Sequence, residues 1–370
     1  MERYQRQVIL KDFGDTGQHR LLTAKVLVIG AGGLGCPVLQ YLTGAGVGTI
    51  GIMDHDVVSL SNLHRQVLYD MADIGLPKAG RAAAKLQQMN SDIRVIPYVE
   101  RLVTQNALEI LGEYDVIVDA TDNFPTRYLI NDACVLLCKP LVYGAVSRYE
   151  GQVAVFNFTD SSGERTVNYR DLFPVLPPDG EVENCAEAGV LGILPGIIGS
   201  LQAGEVIKLL AGVGTPLVNR LQTFNLLTNE WLAWEIPPSP GSQAQIPGSR
   251  ADFINMEYEH TCQTTGFSEI DVGEFDAMLS EKDLTVIDVR EMGELPEINE
   301  FNHLQLPLSQ LQTDRLSASI SNNIIIAFCQ SGKRSQVAAR LFADTFTDKR
   351  IFSLRGGIIA WKQHIKYKHD

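Results

Sequence analysis

A single cysteine, Cys329, follows the apolar run Ile324–Phe328 and opens the stretch CQSGKRS, made of Gln330, Ser331, Gly332, Lys333, Arg334 and Ser335 after it. Such a loop, set between a strand and a helix, turns backbone N–H groups and the positive end of the helix dipole toward the sulfur. Gly332 permits close approach, and Lys333 and Arg334 add positive charge. These features favour an anionic sulfur, either a thiolate or a persulfide Cys–S–S⁻. A cysteine phosphatase loop is the rival reading, but there the arginine comes one residue later. Here Ser335 holds that place and Arg334 is one position early.

A second constellation lies near the other end. Gly30-Ala31-Gly32-Gly33-Leu34-Gly35 follows an apolar strand and opens a helix, the arrangement in which backbone approaches a phosphate at a helix N-terminus. Asp54 ends the next strand, where a carboxylate can accept from ribose hydroxyls. That much fits any dinucleotide enzyme, and an oxidoreductase with an accessory domain is one candidate. The loop DHDVVSLSNLHRQ then gathers Asp54, Asp56, Asn62, Arg65 and Gln66, and Lys78 opens the following helix. Arginine and lysine converging on a glycine loop suit a triphosphate better than a pyrophosphate diester. Asp122, beside Asn123 in VDATDN, stands where a strand's carboxyl end could hold Mg²⁺.

These residues need a scaffold. KVLVI, TIGIM, IRVIPYVE and YDVIVDA read as strands alternating with helical stretches, LGCPVLQYLTGAG, KAGRAAAKLQQMN and FPTRYLINDACVLL. Continuous apolar strands alternating with helices imply a Rossmann-like, mainly parallel sheet covered on both faces. PLVYGAVSRYEGQVAVFNF, turning near Tyr149–Gly151, and TFNLLTNEWLAWEI, turning at Thr228–Asn229, extend it with antiparallel strands. A polar, Pro-rich crossover and a helix around Ile193–Leu210 separate them. Residues 237–266 read as a Pro/Gly/Ser linker, and 267–370 as a small α/β domain built from LTVIDVR, NIIIAFC, SQVAARLFADTF, RIFSL and GGIIAWKQHIK.

RYQRQ, GAGGLG, DHDVVSLSNLHRQ, GLPKA, DATDN and NCAEAGVLG together resemble the MoeB/ThiF/HesA family, bacterial relatives of ubiquitin-activating enzymes, over residues 1–236. LTVIDVRE, CQSGKRSQVAARL and SLRGGIIAW resemble a rhodanese domain. The resemblance implies a homodimer that uses ATP and Mg²⁺ to adenylate the C-terminal Gly-Gly carboxylate of a ubiquitin-like sulfur-carrier protein. Molybdopterin synthesis is the expected pathway, with thiamin and tRNA thiolation as alternatives. It implies that Asp54 binds ribose, that Asn62, Arg65 and Lys78 surround the phosphates, and that Asp122 coordinates Mg²⁺. Arg6 would reach the triphosphate of the opposite subunit. An upstream persulfide donor would load Cys329, and the joint product would be a thiocarboxylate. A non-catalytic scaffold for a ubiquitin-like protein is a third possibility.

Cys185, in the crossover, matches the region of a cysteine that in the resembling family can link to the carrier, although Glu181, Glu183 and Glu187 would oppose a thiolate there. Cys36, Cys134 and Cys138 read as core packing. Many family members carry C-x-x-C twice and bind zinc. This chain has Asn168 and Asp171 at the first pair and a solitary Cys262 beyond, so no tetracysteine zinc site is expected. Six cysteines without C-x-x-C make no disulfide framework, and MERYQRQVILKDFG lacks a secretory apolar core, which together favour the cytoplasm. AGVLGILPGIIGSLQAG, with Pro195 and several glycines, reads as a loop and buried helix rather than a membrane span. With 45% hydrophobic and 20% charged residues in 370, two or three globular domains are expected. A formal charge of −13 argues against nucleic acid or an anionic membrane as the partner.

Overall fold

KVLVI and VIVD are apolar on both faces, so each must be covered from two sides. The computed structural model describes residues 2–159, 163, 165–174, 189–239, 241–258, 267–281, 283–311, 320, 322–346 and 349–369. In it these stretches become β1 (Lys25–Ile29) and β4 (Val116–Asp119), neighbours inside an eight-stranded sheet. The other strands are β2 (Thr49–Met53), β3 (Arg94–Tyr98), β5 (Leu141–Ser147), β6 (Glu150–Phe156), β7 (Arg220–Asn225) and β8 (Glu230–Glu235), in the order β3-β2-β1-β4-β5-β6-β7-β8. β1 to β5 run parallel, and β5 to β8 pair antiparallel. Arg148 and Tyr149 make the β5–β6 turn, one residue earlier than the sequence suggests, with Arg148 left-handed at φ 53°.

Among the described residues its helices are α1 (Gln5–Val8), α2 (Gly14–Thr23), α3 (Gly35–Ala45), α4 (Lys78–Met89), α5 (Thr104–Gly112), α6 (Phe124–Leu137), α7 (Tyr169–Leu172), α8 (Ile193–Ala211) and α9 (Arg250–Ile254). Strand alternation divides the core. Val26 and Val28 join one cluster with α3, α4 and α8, while Leu27 and Ile29 join another with α5 and α6. α8 is long and apolar enough to cross a membrane by length and composition. It is instead packed against α3, β5 and β6, and its buried Gln202 donates Nε2 to the Asp119 carbonyl at 2.7 Å.

The segment read as linker departs from expectation. The chain divides into Met1–Glu259 and His260–Asp370, so residues 237–258 belong to the first unit. Asp171 accepts from the Ser239 N–H and the Ser242 hydroxyl, both at 2.7 Å, through one oxygen. Its other oxygen takes the Asn168 backbone and side-chain N–H groups at 2.8 Å. Farther on, Phe253 is fully buried and the Tyr258 hydroxyl donates to Asp132 at 2.8 Å. Polar composition conceals this docking because the partners, half-buried Asp171 and buried Asp132, lie far away in sequence. Asn168 and Asp171 thus form one end of a hydrogen-bonded clasp.

The second unit holds a parallel sheet, β11-β10-β12-β13-β9, formed by β9 (Phe267–Ile270), β10 (Leu284–Asp288), β11 (Leu304–Gln305), β12 (Ile324–Phe328) and β13 (Arg350–Leu354). Among the described residues of this unit the helices are α10 (Val272–Met278), α11 (Lys333–Thr345) and α12 (Gly357–His369). β9 and β11 escape a pattern-based reading because both are short, half-polar edge strands.

Candidate functional site

The glycine loop leaves β1 at Gly30, whose φ of 95° puts any β-carbon 2.6 Å from the Ala120 carbonyl oxygen. Gly35 is seated as tightly, because a Cβ there would stand 1.9 Å from the Gly30 oxygen. The loop therefore lies against the end of β4, and its Gly30, Gly32 and Gly33 line a pocket. Asp54, at the end of β2, ties it from the other side, accepting from the Ala31 N–H and the Asp56 N–H at 2.8 Å each. Burial pushes the Asp54 carboxyl above its usual range, opposed by Lys78 and these two N–H groups.

One pocket opens at the carboxyl edge of the parallel strands. Its lining includes Gly30, Gly32, Gly33, Asp54, Asp56, Arg65, Gln66, Lys78, Asp122 and Asn123. Lys78, 5% exposed, extends Nζ to Asp56 Oδ2 at 2.9 Å. Arg65 reaches back to the Ser61 carbonyl at 3.1 Å. Asp122 is exposed at the end of β4, and Asn123 caps α6 by accepting from Thr126 N–H at 3.0 Å. Asp54, His55 and Asp56 also present their ligand atoms within 4.8 Å of one another.

Three expected residues stand apart. Gly35 packs beneath the loop and is not in the lining. Asn62 is absent from the lining as well, and its Oδ1 accepts from the Ser59 N–H at 3.3 Å, closing a short turn. Arg6 lies exposed on α1 and does not line the pocket of its own chain. Cys185 and Cys262 lie outside the described residues. Cys36 is buried and its thiol is pushed up to about 12 by that burial. Cys134 is buried as expected, but Cys138 is not a core residue. It ends α6 at φ 53°, exposed, with Arg165 Nη2 2.7 Å from its sulfur.

Arg127 was not singled out from sequence, yet it lines the pocket at 7% exposure. Its Nη2 donates to the Thr121 carbonyl at 2.9 Å and its Nε lies 3.8 Å from Asp119 Oδ2. Burial pushes the Asp119 carboxyl up, with Arg127 and Thr121 opposing. Its position within TDNFPTR, four residues after a helix cap, was the available signal.

In the second unit Cys329 is fully buried between β12 and α11. Gly332 N–H points at Sγ from 3.2 Å and Ser335 Oγ lies 3.7 Å away. Gly332, at φ 94°, and Gly357, at φ 60°, admit no side chain: a Cβ would meet Gly356 N at 2.8 Å and Cys329 O at 2.5 Å respectively. Arg334 differs from expectation. Both of its terminal nitrogens bind Glu294, at 2.6 and 2.7 Å, so its charge is shared with a carboxylate rather than given to the sulfur alone.

Residues 4–244 match the ThiF family and residues 271–364 match the rhodanese-like domain. A sulfur carrier protein adenylyltransferase of Thermus thermophilus is 56% identical over 227 residues, spanning 61% of this chain and 84% of that one. An adenylyltransferase and sulfurtransferase MOCS3 of Arabidopsis thaliana is 40% identical, covering 98% of this chain and 83% of its own. A probable adenylyltransferase/sulfurtransferase MoeZ of Mycobacterium tuberculosis is 40% identical over 98% of this chain and 93% of its own. Among solved structures, PaaA aligns at TM-score 0.54 and 25% identity over 64% of this chain and 73% of its own. Escherichia coli MccB with ATP aligns at 0.55 and 22% over 64% and 72%, a likeness of fold.

Proposed function

This chain belongs to the ThiF family with a rhodanese-like domain at its C-terminal end, and from that premise we propose that it activates and then sulfurates the tail of a ubiquitin-like carrier. It is an enzyme, an adenylyltransferase joined to a sulfurtransferase. The substrate in this reading is the C-terminal Gly-Gly carboxylate of a sulfur-carrier protein. The observation that carries the reading is the convergence of Arg65, Lys78 and Asp122 on one pocket that the glycine loop also lines.

A carboxylate is a poor acyl donor because its leaving group would be oxide. Attack by its oxygen on the α-phosphorus of ATP forms a C–O–P link, expels pyrophosphate and leaves an acyl-adenylate with AMP as the leaving group. The nucleophile is already ionised, so no protein base is required. Lys78 and Arg65 neutralise the phosphates, Asp54 receives the ribose, and the glycine loop backbone lies along the triphosphate. The exposed Asp122 carboxylate, a hard oxygen donor, fits Mg²⁺ and would hold it, and the cation would there supply neutralisation of phosphate charge. Arg6, exposed on its own subunit, is proposed to complete the site of a second copy in a homodimer.

The sulfur step follows at Cys329. The terminal sulfur of a Cys329 persulfide, loaded by an upstream persulfide donor, displaces AMP to give an acyl disulfide. One thiol of a reductant then attacks Sγ of Cys329, releasing the thiocarboxylate and leaving a mixed disulfide, and a second thiol displaces Cys329 as its free thiol, the two reductant thiols being oxidised to a disulfide. Gly332 N–H, at 3.2 Å, would stabilise the anionic sulfur. Cytoplasmic molybdopterin synthesis is the proposed setting.

The test is mass spectrometry of candidate carriers after incubation with ATP, a persulfide donor and reductant. One carrier should exchange an oxygen for sulfur, and Cys329→Ala should abolish that exchange while carrier-dependent ATP–pyrophosphate exchange persists. A thiamin-type or tRNA-thiolation carrier responding instead redirects the pathway. No carrier-dependent ATP–pyrophosphate exchange with any of them defeats the reading.

A further inference from the structure

We propose that Arg127 is a positioning residue for adenylation: buried beside the pocket, it fixes the turn Thr121–Asn123 so that Asp122 stands where the cation on ATP must lie. The inference rests on the reading given above and concerns the support of Asp122 rather than Asp122 itself.

The turn is held from every side. Asp119 Oδ1 accepts from the Thr121 N–H at 2.9 Å and from its hydroxyl at 2.6 Å. Gln202 holds the Asp119 carbonyl at 2.7 Å. Arg127 links the two ends, with Nη2 on the Thr121 carbonyl and Nε facing Asp119 Oδ2. The Phe124 and Tyr143 rings flank its guanidinium at 5.7 and 5.4 Å, restricting its plane. At 7% exposure Arg127 is turned into the protein, whereas Asp122 is exposed. A lysine can keep the charge but cannot span both contacts, because it lacks the planar fork. Carboxylates that meet a metal depend on such outer partners, whose loss costs about 10–100-fold in metal affinity or activity.

The experiment measures ATP affinity of the full-length protein calorimetrically, without carrier, in Mg²⁺ and in EDTA. Arg127→Lys should weaken MgATP binding about 10–100-fold while leaving ATP in EDTA unchanged. Asp122→Asn should show the same pattern, and the double variant should be no worse than Asp122→Asn alone. Equal loss in Mg²⁺ and EDTA, no loss at all, or additive losses in the double variant would overturn the proposal. Arg127→Gln serves as a second variant, and if its melting curve shows it unfolded, Arg127→Lys decides alone. Wild-type protein whose ATP binding ignores Mg²⁺, or an unresponsive Arg127→Lys, sinks only this inference, whereas absence of carrier-dependent ATP–pyrophosphate exchange in the wild type sinks the adenylation reading.

Discussion

Lys78 shows how one side chain serves both fold and site. Its stem is buried at the start of α4 while its ammonium reaches Asp56 at the pocket rim. Lys78→Met keeps the apolar stem and removes the charge. ATP–pyrophosphate exchange should fall about 10²–10³-fold, the usual effect of deleting one electrostatic contact to a transition state, with the melting temperature nearly unchanged. Gly35 is the opposite case, lying beneath the loop without touching the pocket. Gly35→Ala puts a carbon 1.9 Å from the Gly30 oxygen, so the loop must leave β1. Nucleotide binding should be lost while the rhodanese unit keeps its own melting transition, as differential calorimetry would show. Asp73 supplies a pH signature. Burial pushes its carboxyl up, but Lys85, the Asp70 N–H and Arg81 outweigh that and hold it at about 2. An acid with a lowered folded value stabilises above its ordinary range near 3.8 and loses that stabilisation as pH falls toward about 2. Asp73→Asn should therefore be less stable at neutral pH, and its acid denaturation profile should be flatter between those two values.

At the scale of elements, α7 and the stretch after β8 are joined by Asp171. Asp171→Ala leaves the Asn168 and Ser239 N–H groups and the Ser242 hydroxyl without that acceptor. A cost of about 1–3 kcal/mol is expected, read as a lower melting temperature and faster proteolytic cleavage between residues 237 and 250. Asp171→Asn should fall between the two proteins, and equal cleavage rates for all three would mean that the clasp does not hold this segment. Around the pocket two carboxylates sit at strand ends: Asp54 follows β2 and Asp119 closes β4. In the second unit Cys329 likewise follows β12. Side chains leaving a parallel sheet at its carboxyl edge meet on one side, which is why residues far apart in sequence share a pocket.

At the scale of the whole molecule, each unit carries its own cores on both sides of its own sheet. Residues 1–259 and 260–370 made as separate chains should each fold. Adenylation should survive in the first, while thiocarboxylate formation should come to depend on the concentration of the second, since a tether supplies roughly millimolar effective concentration. Sulfur transfer that is independent of that concentration would argue against delivery by the tethered domain. Much of this architecture was legible without coordinates. Apolar strand runs, glycine turns and the order of strand and helix are local patterns, so β1, β2, β4, α3, α6 and the Cys329 loop emerge from neighbours along the chain. The charge-bearing loop after β2 was also readable, because Asp54, Asp56, Arg65 and Gln66 crowd one short stretch. What the tertiary structure alone decided involves partners far apart in sequence. Asp171 beneath Ser239 and Ser242, Tyr258 on Asp132, and Arg334 on Glu294 depend on which carboxylate the fold brings to which donor. Local propensity carries no information about such pairings, because a buried charge is tolerated only where the fold brings its counterpart within hydrogen-bonding distance.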